Sequence, residues 1–156
     1  MKKSAGILFY RLDNKRLEVF LVHPGGPFWK NKDNGTWSIP KGEFAENELP
    51  LDAAIREVKE ETGISCSGTF IELNHIKQKG GKIIYAWALE KEIDPVEITS
   101  NTFEIEWPPR TGQFKSFPEV DKGDWFKIKE AKEKINSAQT GFIDELAQKL
   151  KLPLQE

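Results

Sequence analysis

The sequence predicts an α/β protein, a mixed sheet sandwiched between helices, and three observations point there. Strand-favouring runs alternate with helical spacing instead of clustering at one end of the chain. One central helix is bracketed by start and stop signals, and a second helical pattern lies near the C-terminus. The length of 156 residues suits one ordinary domain, of which roughly two-thirds of the unfolded surface would be buried, so residues 1–156 are expected to form a single domain.

Ser4 to Arg11 and Arg16 to His23 have strand composition, and Leu12-Asp13-Asn14-Lys15 between them has turn composition, which predicts a hairpin. Pro24 to Gly35 collects two prolines and three glycines and reads as a long loop carrying Lys30 and Lys32. The short run Thr36-Trp37-Ser38-Ile39 leads to Pro40-Lys41-Gly42-Glu43 and then to a mostly polar loop ending at Leu49. A helix of about 13 residues follows: Pro50 suits its first turn, Asp52 complements the positive end of the helix dipole, and Gly63 after Glu61-Thr62 stops it.

Thr69 to Gln78 and Lys82 to Glu90 read as strands joined at Gly80-Gly81. A third run, Thr102 to Trp107, ends at Pro108-Pro109, and Arg110 to Lys122 reads as loop. Asp124 to Ile128 is a candidate short strand, and Gly141 to Leu150 has helical spacing at Phe142, Leu146 and Leu150.

Composition narrows the functions. A hydrophobic fraction of 38% with 31% charged residues describes a soluble globular protein. No apolar run approaches the roughly 20 residues that span a bilayer, and Met1-Lys2-Lys3-Ser4 leads only into the short stretch Ala5 to Tyr10, so a cytoplasmic protein without membrane association is expected. Cys66 has no cysteine to pair with, and with only His23 and His75 present no Cys/His zinc site can be assembled, so any metal must be held by oxygen. A net charge of −2 argues against nucleic acid as a partner and leaves a small anionic substrate open.

On a helical wheel at about 100° per residue, Glu57, Glu60 and Glu61 fall within roughly 100° of one another. Leu51, Ala54, Ile55 and Val58 make an adjacent apolar stripe that would dock on the sheet. Like charges at three and four residues' spacing destabilise a helix by a few tenths of a kcal/mol per pair, and a hard divalent cation offsets that repulsion through oxygen ligands. Arg56 stands four residues before Glu60 and is placed to pair with it.

An isolated Glu-x-x-Glu-Glu is more often a solvated helix face than a site. The larger frame reads Gly42, five residues, Glu48, seven residues, then Arg56-Glu57-Val58-Lys59-Glu60-Glu61-Thr62-Gly63-Ile64. It resembles the Nudix box, G-x5-E-x7-R-E-U-x-E-E-x-G-U with U a bulky aliphatic, at every specified position. Seven literal matches at average usage of about one in fifteen make accidental agreement on the order of one in 10⁸ per starting point. The resemblance is densest over residues 37–64.

The resemblance implies a Nudix-type α/β/α sandwich and an acid-anhydride hydrolase that cuts a diphosphate linkage with magnesium, or manganese in its place. It makes Glu57, Glu60 and Glu61 metal ligands, with the Gly42 carbonyl a further one. Arg56 and Glu48 become a supporting pair, and Gly63 is structural. Attack of water on phosphorus also needs a proton acceptor. The family allows Glu57 or an acid beyond the box, for which Glu104, Glu106, Glu119 and Asp121 are candidates. Glu119 is favoured by its place before Trp125, where related enzymes often carry an extra acid.

Lys41, Lys30, Lys32, Arg110 and Lys115 are candidate phosphate contacts. Trp37, Phe28, Tyr85 and Phe114 are candidates for stacking on a base, against the commoner role of strand aromatics as core. His23 has two readings, a structural residue at a strand end or a phosphate contact. The Pro-Lys-Gly-Glu form resembles that of Nudix enzymes acting on dinucleoside polyphosphates and related compounds. The expected substrate is a dinucleoside polyphosphate or nucleoside triphosphate, taken by a monomer or homodimer. ADP-ribose or a nucleotide sugar is the alternative within the same chemistry. A non-catalytic nucleotide-binding regulator would be expected to have lost box glutamates, and an enzyme of RNA 5′ ends to carry a basic surface.

Overall fold

The structure is a computed structural model and describes residues 2–152. Its chain opens with β1 (Lys3–Asp13) and β2 (Arg16–Pro24), an antiparallel hairpin in which Phe9 faces Phe20 and Asp13 faces Arg16. The expected four-residue turn narrows to Asn14 and Lys15. Both have positive φ, 52° and 65°, the backbone that a tight two-residue hairpin turn requires.

β1 is longer than its partner can cover. Its second half pairs with β2, while Ser4, Ala5 and Gly6 pair with β3 (Lys41–Glu43). Where β1 and β2 part, the chain from Trp37 to Glu43 is laid between them. Val22 and Ser38 exchange backbone hydrogen bonds of 2.9 and 3.0 Å, and Ile7 donates to the Pro40 carbonyl at 3.1 Å. Lys41, Gly42 and Glu43, which the sequence reading assigned to no strand or helix, therefore belong to the sheet. Three residues are too few for a period-2 pattern to register.

Helix α1 (Pro50–Thr62) has the predicted bounds, with proline in its first turn and Asp52 beside it. Gly63 ends it at φ 80°, a left-handed conformation that glycine adopts at little cost, and its N–H bonds the Lys59 carbonyl at 2.8 Å. β4 (Ile71–Lys77) and β5 (Ile83–Glu90) follow, and β5 runs parallel to β1 from Lys3/Ile83 to Tyr10/Glu90. The other pairings are antiparallel, so the sheet, ordered β4-β5-β1-β2-β8 (β8 being Val120–Lys127) with β3 beside β1, is mixed as expected.

Arg110 to Lys122 is not a loop throughout. β6 (Thr102–Glu106) and β7 (Phe114–Pro118) form a separate two-stranded ribbon, and β8 (Val120–Lys127) begins sooner than Asp124. Proline and glycine around β7 masked a strand whose partner lies across a turn. Helix α2 (Ile128–Lys134), seven residues long, went unassigned because it spans barely two helical turns, and α3 (Thr140–Lys149) matches the predicted terminal helix.

Alternation along the central strands supplies two cores. Ala5, Ile7, Phe9, Phe20 and Val22 pack with Ala53, Ala54 and Val58 of α1. Leu8, Tyr10, Val19 and Leu21 pack on the opposite face with Ala131 of α2 and Phe142, Ile143 and Leu146 of α3. Each fully buried Leu, Ile or Phe stabilises this sandwich by about 1.5–3 kcal/mol, and truncating Phe142 to alanine would cost about 3–5 kcal/mol. Among the described residues no helix is long and apolar enough to cross a membrane.

Candidate active site

The wheel placed the acids of α1 beside the apolar stripe, and here the structure differs. The buried residues are Ala53, Ala54, Val58 and Thr62, whereas Leu51 and Ile55 are half-buried. At about 100° per residue, Ala53 and Ala54 flank Glu57, so the buried arc contains Glu57 and Glu61 and leaves Glu60 outside it. Burial accordingly raises the pKa of Glu57 and of Glu61, because a desolvated carboxylate resists ionising. Glu60 is 48% exposed.

Gly42 explains how Glu57 fits. A Cβ on Gly42 would lie 1.9 Å from Glu57 Oε2 and 2.3 Å from its Cδ, so the carboxylate rests on bare backbone of β3. Its neighbour Lys41 donates a backbone N–H to Glu61 Oε1 at 3.3 Å. Lys41 is itself held below its ordinary pKa, first by burial and then by nearby Lys82, with Glu61 and Glu43 opposing.

Arg56 gathers the remaining acids. Its Nε and Nη2 donate to the two oxygens of Glu48 at 2.7 and 2.8 Å, a bidentate pair, while Nη1 donates to Glu57 at 2.9 Å and Glu60 at 3.1 Å. Glu48 is held below its ordinary pKa chiefly by that hydrogen bonding. Arg56 meets Glu60 across the i,i+4 spacing read from the sequence, whereas its pair with Glu48 is one that only the family resemblance implied.

Glu119 lies between β7 and β8 and lines a pocket of about 230 Å³ with Glu61, Lys41, Trp29, Gln78, Asn136 and Gln139. Its charge is close enough to raise the pKa of both Glu57 and Glu61. The other candidate acids are differently employed. Glu106 accepts from the backbone N–H groups of Arg110 and Gly112, Asp121 contacts His23, and Glu104 is an exposed residue of β6.

Several expected substrate contacts lie elsewhere. Trp37 is buried, donates to Asp33 at 2.8 Å and meets His23 and Phe126 edge-on, which makes it core. Tyr85 packs with Phe44 and His75 beside the α1 core. Lys30 and Lys32 line a separate depression with Lys122 and Lys134. Arg110 and Lys115 are exposed on the β6–β7 ribbon, as is Phe114, and Phe28 lies against Trp107. Of the predicted contacts, Lys41 lines the pocket.

Trp29, Ser38, Gln78, Asn136 and Gln139 were not singled out from sequence. Gln139 is buried, accepts from the Ile39 N–H at 3.1 Å and donates to Ser38 Oγ at 3.1 Å. A lone polar residue ahead of a helix carries no sequence signal that separates this role from a solvated one.

The acids offer only oxygen donors, two of them desolvated beside a residue without a side chain, and this chemistry suits a hard divalent cation. Among the described residues no three acidic, imidazole or thiol groups already close around one point. Glu57 and Glu60 are turned onto Arg56, and Glu61 onto the Lys41 amide.

A family model described as the NUDIX domain matches residues 2–146. The asymmetrical bis(5'-nucleosyl)-tetraphosphatase of Rattus norvegicus is 29% identical over 108 residues, covering 62% of this chain and 69% of that protein. An Ap4A hydrolase of C. elegans, solved as a binary complex, superposes with a TM-score of 0.64 at 21% identity, covering 97% of this chain and 98% of that one. The NUDIX domain of Shewanella oneidensis NrtR, solved with ADP ribose, does so with a TM-score of 0.63 at 14% identity, covering 95% and 87%. At these identities the two solved structures establish the fold.

Proposed function

Given that the chain belongs to the NUDIX domain family and is a pyrophosphohydrolase, we propose that it cuts a diphosphate linkage in a small nucleoside polyphosphate with the help of magnesium or manganese. Hydrolases of this family generally use a divalent metal. The carrying observation is that Glu119 and the desolvated Glu61 line one pocket together with Lys41.

Glu57, Glu60, Glu61 and the Gly42 carbonyl would hold the ion. When bound, such an ion neutralises diphosphate oxygens and acidifies the attacking water. Arg56, pinned by Glu48, keeps Glu57 and Glu60 oriented. Glu119 accepts the proton, since it is the candidate acid on the pocket wall that is not committed to a turn or to His23. Lys41 meets the phosphates, and burial strengthens that charge contact by excluding water. Trp29 offers an indole at the pocket for the base.

A dinucleoside polyphosphate is the favoured substrate class. The Pro-Lys-Gly-Glu segment and the relative from Rattus norvegicus both support it. At about 230 Å³ the pocket falls below the roughly 300–1,000 Å³ of full ligand sites, so it encloses one part of such a molecule. The protein is proposed to act as one domain in the cytoplasm.

The test is a panel of dinucleoside polyphosphates, nucleoside triphosphates, ADP-ribose and nucleotide sugars, each with magnesium. Release of nucleotide or phosphate from the first two groups, lost in Glu60→Gln and Glu61→Gln, is expected. Full activity in both variants would sink the assignment, and cleavage of nucleotide sugars alone would overturn the substrate class.

A further inference from the structure

His23, the penultimate residue of β2, has 2% of its surface exposed, and both of its ring nitrogens have partners. Nε2 lies 2.6 Å from the Lys32 carbonyl oxygen, and Nδ1 lies 2.9 Å from Asp121 Oδ1. A carbonyl oxygen only accepts, so Nε2 must carry a proton. An ionised carboxylate also only accepts, so the second contact is a hydrogen bond only when Nδ1 carries one too. The surroundings are mixed in charge. From β8 come Asp121 and Lys122, whose Nζ stands 5.6 Å from the centre of the Trp37 ring; from the loop comes Asp33, and from α2 Lys134, paired with Asp33 at 2.5 Å.

Each partner leads to one wall of the pocket. Lys32 closes a turn by donating its backbone N–H to the Trp29 carbonyl at 3.0 Å, and Trp29 lines the pocket. Asp121 stands two residues after Glu119, whose carbonyl accepts from the Gly25 N–H at 2.9 Å. The imidazole therefore bridges the turn that carries Trp29 and the segment that carries Glu119.

We propose that His23 is a positioning residue for the pocket: its doubly protonated ring ties the Trp29 turn to the Glu119 segment, and loss of either ring proton releases the tie and weakens substrate binding. Without one of its protons the ring turns a lone pair on the Asp121 carboxylate across 2.9 Å or on the Lys32 carbonyl across 2.6 Å, either of which is repulsive, and the ring or the turn must shift. The effect on turnover rests on the functional reading above, whereas the tie itself does not.

Asp121→Asn separates this role from a merely structural one. An asparagine amide can donate to an unprotonated Nδ1, so both contacts survive with a neutral ring. The measurements are ¹⁵N spectra of the His23 ring against pH, amide hydrogen exchange across residues 25–35, and KM and kcat for diadenosine tetraphosphate with magnesium. In the unaltered protein both nitrogens should carry protons at the acid end. As the ring loses one, amide protection should fall and KM should rise roughly tenfold, the effect of one charge-assisted hydrogen bond, with little change in kcat. In Asp121→Asn the ring should stay neutral with its proton on Nε2, and the KM step should vanish. A ring neutral at every pH where the unaltered protein is folded, or a KM step that persists in Asp121→Asn, overturns the proposal. If diadenosine tetraphosphate is not cut, the substrate reading fails, and the spectra and amide exchange still decide this one.

Discussion

Gly42→Ala probes the site without requiring the substrate to be known. The added Cβ would stand 1.9 Å from Glu57 Oε2, where ordinary contact begins at 3.4 Å, so the carboxylate has to retreat by about 1.5 Å, the difference of the two. Gly42 does not have positive φ, so alanine meets no backbone penalty, and replacing glycine should itself gain about 0.4–1 kcal/mol through the unfolded chain. Overpacking of this kind costs about 1–3 kcal/mol and should dominate, which urea denaturation would read as a net loss. In a Glu57→Ala background the obstructing atoms, Oε2, Cδ and Cγ, are gone. There the same substitution should be neutral or slightly stabilising, a coupling of about 1–3 kcal/mol in the double-mutant cycle. Equal destabilisation in both backgrounds would refute the idea that Gly42 is glycine in order to seat Glu57. Displacing a positioned group by about 1 Å costs on the order of 10²-fold in rate, so kcat/KM should fall by about that factor in the single variant.

Glu61→Gln should separate stability from function: removing a charge from a desolvated position should leave the metal-free protein as stable or more so by thermal melting, while activity is lost. A lower Tm would show that the ionised carboxylate stabilises the fold. Arg56→Ala removes a bidentate pair and two further contacts from an exposed guanidinium, so denaturation should show a loss of no more than about 1 kcal/mol, whereas kcat/KM should drop by about 10–100-fold. Cys66 supplies a pH test away from the site. Burial pushes its thiol up to about 11, and the thiolate is the reactive form, so alkylation by iodoacetamide should be slow near pH 8 and quicken about tenfold per pH unit until near that value. A plateau below pH 9 would contradict it.

The parts of the fold that were legible are those with strong local punctuation. Pro50, Asp52 and Gly63 fixed α1 because caps act through their own backbone, and Gly80-Gly81 marked the β4–β5 turn. β3 and β7 were illegible because each exists only through its partner: three residues beside β1, and five beside β6. The same division runs through the site. Glu57, Glu60, Glu61 and Arg56 share one helix, so spacing alone brings them within reach, while Glu48, ahead of that helix, was legible only through the box pattern. Trp29, Gln78, Asn136 and Gln139 come from three distant stretches that meet only when the sheet closes. Trp37 and Tyr85 show the converse, since aromatic character does not reveal whether a ring completes a core or opens onto a pocket.

The two-sided guanidinium of Arg56 suggests how the acids are kept both ordered and available. Glu48 takes Nε and Nη2, the edge that fixes the plane, and only Nη1 reaches Glu57 and Glu60. Those two carboxylates can therefore turn away without freeing Arg56, because its bidentate pair lies outside the acidic face. Glu61 has no such holder and leans on one long backbone contact from Lys41, in the more desolvated position. The acids of the box thus differ in restraint although they sit within one helical turn: Glu57 and Glu60 are poised by a neighbour that stays behind, and Glu61 is poised by burial. This asymmetry follows from the wider buried arc that Ala53 gives the helix, which draws Glu57 and Glu61 inward and leaves Glu60 in water.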